Sequence, residues 1–128
     1  MNSEALAAFL TLLRDAETEY VSALNTMNDT DAATQDLLHF LELQDPSPDE
    51  MVTVGERIVN IRQERRAAKD RSEVLGPVVD WIEANRAVVK SLERLLGEMR
   101  KIENKHVGRF YIPRTDALDG IRETENNE

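Results

Sequence analysis

The sequence predicts an all-α protein, a helical bundle built from a short helical hairpin and a long antiparallel coiled-coil-like hairpin. Three observations lead there. Hydrophobic residues make up 41% of the 128 residues but aromatics only 5%, so Leu, Val, Ile and Ala carry the core, a bias that suits helix packing. Apolar residues recur at alternating steps of three and four over most of the chain, which is the signature of a helical seam. The strong breakers, proline and glycine, number nine in all, and they fall between the stripes more than within them.

The first predicted helix covers about 3–27, with Ser3 as its N-cap and Glu4 in the first turn. Its stripe is Leu6, Phe9, Leu13, Ala16, Tyr20, Ala23 and Met27. Asn28-Asp29-Thr30-Asp31 is a run of turn formers and predicts a break. A second helix then follows over 31–43, apolar on more than one side through Leu37, Leu38, Phe40, Leu41 and Leu43. Gln44-Asp45-Pro46-Ser47-Pro48-Asp49 reads as a loop. The third helix, 49–74, carries Met51, Val54, Ile58, Ile61, Arg65, Ala68, Ser72 and Leu75 at seam spacing. Gly76-Pro77 predicts a turn, or else a kink, with Pro77 opening a fourth helix over 77–106. That helix has the stripe Val78, Trp81, Asn85, Val88, Leu92, Leu95, Met99, Ile102 and His106. A fold-back about position 76 would set Ile61 by Leu92, Ile58 by Leu95, Val54 by Met99 and Met51 by Ile102. Gly108 reads as a C-cap, 109–114 as an extended segment ahead of Pro113, and 115–128 as a polar, disordered tail. Residues 1–114 form a single predicted domain.

There is no cysteine, which excludes a disulfide scaffold, a thiolate metal site and cysteine nucleophilic catalysis. No apolar run approaches the roughly 18–20 residues that span a bilayer. The start, Met1-Asn2-Ser3-Glu4, lacks a positively charged leader region. The expectation is a complete, cytoplasmic chain with no membrane partner. The net charge of −9 argues against a globally basic nucleic-acid binder. The charge is uneven, however. Residues 1–56 carry twelve carboxylates and one Arg, whereas 57–71 carry six basic and two acidic groups, and 86–114 eight basic and three acidic.

Two basic clusters are the candidate partner-binding residues. Arg62, Arg65, Arg66 and Lys69 lie three or four apart and share one side of a helix. Guanidinium groups so placed can grip carboxylates or phosphates bidentately. Arg65 takes a seam position, where a polar group sets register or is paired; the predicted fold-back puts it near Ala87 and Val88. The second cluster is Arg100, Lys101, Lys105, His106, Arg109, Tyr111 and Arg114, a mix of cations and an aromatic suited to an interface or to stacking on bases. Asp36, His39 and Glu42 are spaced i, i+3, i+6, but match no strong metal signature. Asp15 with Glu19, and Glu98 with Glu103, are the carboxylate pairs that a magnesium-dependent all-α nucleotide hydrolase would need. No glycine-rich phosphate loop, zinc-protease motif or nucleophile elbow is present.

The runs Asp36 to Leu43, Ile61 to Asp70 and Arg109-Phe110-Tyr111-Ile112-Pro113-Arg114 resemble small uncharacterised helical proteins of phages and prophages of Gram-positive bacteria. The resemblance covers roughly 36–114. It implies an early or accessory protein of the host cytoplasm and no reaction. The expected function is therefore a non-enzymatic interaction module that regulates or inhibits a host protein, with no cofactor and no metal. A nucleic-acid-binding accessory protein working through 57–71 and 100–114 is the alternative. A homodimer is expected, with the second helix and Leu10, Leu12 and Leu24 as its contact surface.

Overall fold

Three helices follow in order: α1 (Ser3–Leu43), α2 (Pro48–Ala84) and α3 (Arg86–Val107). They are seen in a computed structural model that describes residues 2–108 and 112–121. The all-α prediction holds, and no described residue lies in a strand. The helices differ from the expected ones in where they break.

α1 is a single helix of 41 residues, about 60 Å long at 1.5 Å per residue. The expected break at Asn28–Asp31 does not occur. The seam explains this, since its three-four rhythm runs on from Met27 through Thr30, Thr34, Leu37 and Leu41 with no loss of phase, all shielded from solvent. Thr30 is buried, and its hydroxyl donates to the carbonyl oxygens of Thr26 (2.7 Å) and Met27 (3.0 Å). Thr34 donates in the same way to Thr30 O. Asn28, Asp29 and Asp31 face water, where each costs only about 0.5 kcal/mol of helix propensity, less than a continuous interface returns.

The chain reverses at residues 44–47. Asp45 adopts a left-handed backbone (φ 46°), which Asp tolerates better than most side chains. Ser47 caps α2 with a full capping box: Glu50 N donates to Ser47 Oγ and Ser47 N to Glu50 Oε1. Pro48 stands at the first helical position.

α2 then runs back along α1 without turning at Gly76-Pro77. Pro77 lies inside the helix on its exposed side, and the seam passes it through Ser72, Leu75, Val79 and Ile82. The actual interruption is one residue, Asn85 (φ −126°, ψ 32°), whose N–H donates to Ile82 O and whose side chain donates to Trp81 O. Beyond it, α3 continues along the same helix α1. Glu17 meets Arg86 and Ser3 meets Glu103, so α3 runs opposite in sense to α1.

The long hairpin is therefore α1 against α2 and α3 in succession, and the expected fold-back of 50–106 on itself is not formed. α2 and α3 scarcely touch, and the expected pairs Ile61–Leu92 and Ile58–Leu95 are not made. Both helices pack against α1 instead. The core sits where all three meet: Leu10, Leu13 and Ile82 are buried, flanked by Leu6, Val78, Val89, Leu92 and Leu96. Leu10, expected on a dimer surface, is inside this core. Farther along, Ala16, Ala23 and Ala68 are buried, small side chains that let the two long helices approach closely. Asn2, not Ser3, stands at the N-cap position of α1, without a side-chain capping bond, while Ser3 is buried with its hydroxyl 2.9 Å from Glu103 Oε2. Glu103 thus sits at the amino end of α1, where a carboxylate is favoured.

Candidate interaction surfaces

On α2, one line of side chains directly follows the seam. Val59, Arg62, Arg66, Lys69 and Glu73 each come one residue after a seam position, and all are exposed. They line an open furrow of about 910 Å³ with Ile58, Arg65 and Asp70. Every lining residue belongs to α2, so the furrow is an open strip along one helix and not an enclosed pocket.

Of the first predicted cluster, Arg65 is spoken for. Its Nε lies 2.7 Å from Asp31 Oδ1 across the hairpin, and its side chain is 29% exposed. It holds register between α1 and α2, so the expected neighbourhood of Ala87 and Val88 is wrong. Lys69 leans on Glu73 at 4.0 Å, a contact of little strength between two well-exposed groups. Arg62 and Arg66 have no ion-pair partner among the described residues. One turn apart, they project into the furrow beside exposed Val59.

The second predicted cluster is only partly brought together. Arg100, Lys101, Lys105 and His106 are exposed near the end of α3, and His106 shares a shallow surface depression with Asn2, Met99, Ile102 and Glu103. Arg114 is exposed beyond the helix, whereas Arg109 and Tyr111 lie outside the described residues. The two clusters are not one site. Asp31, which holds Arg65, and Ser3, which holds Glu103, stand about 42 Å apart along the single helix α1.

The carboxylate pairs do not converge either. Glu103 is engaged at Ser3, and Asp15 lies 12 residues further along α1, about 18 Å by helical rise. Among the described residues no group of three or more His, Asp or Glu side chains is placed to hold a metal ion, Asp36, His39 and Glu42 included. No described helix is long and apolar enough to cross a membrane.

Sequence reasoning missed the second notable surface. Trp81, Val88, Leu95 and Ile102 are 44%, 46%, 47% and 54% exposed. The sequence placed them in the seam of the fourth helix, but the positions that face α1 are Ile82, Val89, Leu96 and Glu103, each one residue later. Asn85, Leu92 and Met99 serve both lines. The signal was in the sequence as a doubled apolar stripe, wider than one neighbour can cover.

The fold and these surfaces define an elongated all-α hairpin with one basic and one apolar face. No family model matches the chain, and no curated protein or solved structure shows significant similarity to it.

Proposed function

We propose that this chain is a non-enzymatic interaction module that binds an acidic surface on another protein through the α2 face of Arg62, Arg66, Lys69 and Val59. The observation that carries this reading is the pair Arg62 and Arg66, uncommitted within the described fold and fixed one turn apart on a packed helix. Ordered guanidinium groups lose less freedom on binding than those on a loose segment. The exposed valine in their midst supplies the apolar contact that protein interfaces combine with arginine. The resemblance to phage and prophage proteins directs the search to a bacterial host protein, which the module would regulate or inhibit in the host cytoplasm.

Nucleic acid is the second reading. A protein partner is favoured because α1, packed alongside this face, carries eight carboxylates and one Arg. A duplex laid along the hairpin would meet that negative field over most of its length.

Beads bearing the full chain, and beads bearing the Arg62→Glu/Arg66→Glu variant, would be exposed to nuclease-treated bacterial lysate. An acidic protein held by the first, lost from the second and released by raised salt is the expected result. Equal retention on both, or nothing retained, overturns the reading. A mobility shift of duplex DNA at low salt, abolished by the same double variant, replaces it with the nucleic-acid alternative.

A further inference from the structure

We infer that the row Trp81, Val88, Leu95 and Ile102 is a self-association seam, joining two copies of this chain antiparallel about a two-fold axis near Ser91 and Leu92. This goes beyond the arginine face and does not depend on it. Residues of the arginine row each follow a seam position by one, while those of the apolar row each precede one. The two rows therefore lie on opposite flanks of the interface with α1.

Three features of the structure select a second copy as the occupant. The first is spacing. Trp81 lies near the end of α2 and Val88, Leu95 and Ile102 on α3; across the one-residue break at Asn85 the four keep a seven-residue spacing, the repeat of a helix packing along another helix. α1 is already engaged on the neighbouring line, and α2 scarcely touches α3, so the described residues offer no further helix.

The second is breadth. Phe9 and Leu12 on α1 are 43% and 63% exposed, and each precedes a core residue (Leu10, Leu13) by one. Because α1 and α3 run in opposite senses, stepping back one residue turns both helices toward the same side. Phe9, Leu12 and the row therefore form one face two helices wide. From Trp81 to Ile102 the row is about 30 Å long, and two helices are about 20 Å across. That footprint of about 600 Å² per partner reaches the lower edge of a standard stable interface.

The third is charge. Beside the row, Asp80 stands at the Trp81 end, while Lys101 and Lys105 stand at the Ile102 end. Antiparallel two-fold pairing sets Trp81 against Ile102 of the second copy and Val88 against its Leu95. It also brings Asp80 to Lys101 of the second copy, and the reverse. Parallel pairing would set like charge on like.

Pairing two such faces makes a four-helix layer of α1 and α3 from each copy.

Sedimentation equilibrium of the purified full chain tests this without any other partner. A two-fold dimer of the 14.6 kDa chain is expected at micromolar concentration. Leu95→Lys should weaken it at least about 100-fold, because an ammonium group would have to lose its water among apolar side chains. The position is half open in the single chain, so helix content by circular dichroism should not change. Asp80→Lys should weaken the dimer, and Asp80→Lys combined with Lys101→Asp should restore it. Arg62→Glu/Arg66→Glu should leave it intact, which separates this inference from the binding reading above. A monomer up to about 100 µM, a trimer or larger closed form, or a dimer indifferent to Leu95→Lys overturns the proposal. A charge swap that fails to rescue overturns its antiparallel sense.

Discussion

Arg65 shows how a seam position can be filled by a charge at small cost. Its stem lies along the hairpin interface while its head reaches Asp31 at 2.7 Å, and both groups keep access to water. Such a pair contributes little net stability, because solvent screens it. A double-mutant cycle with Arg65→Ala and Asp31→Ala, followed by urea unfolding, should give a coupling of at most about 1 kcal/mol. A coupling of several kcal/mol would mean the pair is far drier than its exposure indicates. That Arg65 is paired was legible, since an arginine on an apolar stripe demands an explanation. Its partner was not, because a cross-helix partner depends on where the chain turns, and two turns were open to the eye. Arg62 and Arg66 carry no such requirement, and their exposure on one face followed from spacing alone.

At the level of elements, the stripes were readable and the joints were not. The seam of α2 from Val54 to Leu75 is the one the spacing gives. Asn28–Asp31 and Gly76-Pro77 look like breaks because their residues have low intrinsic helicity, yet Asn28, Asp29, Asp31 and Pro77 sit on the outside of helices whose inner faces, Thr30 included, stay in phase. Packing along α1 outweighs those local preferences. Asn85, an unremarkable residue in the sequence, is where the helix gives way. Pro77 still carries its own penalty, since it removes one N–H from the helical ladder and crowds the carbonyl four residues back. Because Pro77 is exposed, Pro77→Ala should raise the free energy of unfolding, by up to about 3 kcal/mol, read from the urea midpoint. A loss of stability instead would show that the proline fixes a bend on which the packing of Ile82 depends. The doubled stripe on α3 was misassigned by one residue for a related reason. Two apolar lines one position apart cannot be ranked until it is known which of them meets α1.

Viewed whole, the molecule is a long hairpin with a thin core. Ile82 is the one large side chain fully buried among the described residues, and most of the interface is closed by alanines and half-covered leucines and valines. Small-angle scattering should give a radius of gyration well above the roughly 14 Å of a compact domain of this length. A value near 14 Å would mean that the hairpin bends double in solution. The basic and apolar faces lie on opposite flanks, so binding at one leaves the other accessible. A dimer formed through α3 would present two arginine faces, and bivalent engagement strengthens attachment to a partner that repeats its acidic surface.

The contact between Ser3 and Glu103 joins residues 100 positions apart, whereas the hairpin's reversal at 44–47 is entirely local. Closing contacts in order from that reversal outward lengthens each loop only slightly, so the order of assembly runs from the tight end to the open one. The far end then forms after the rate-limiting step and is the first to come apart. Glu103→Gln should therefore speed unfolding while leaving the refolding rate nearly unchanged in stopped-flow chevrons. A slowed refolding limb would place the termini in the nucleus.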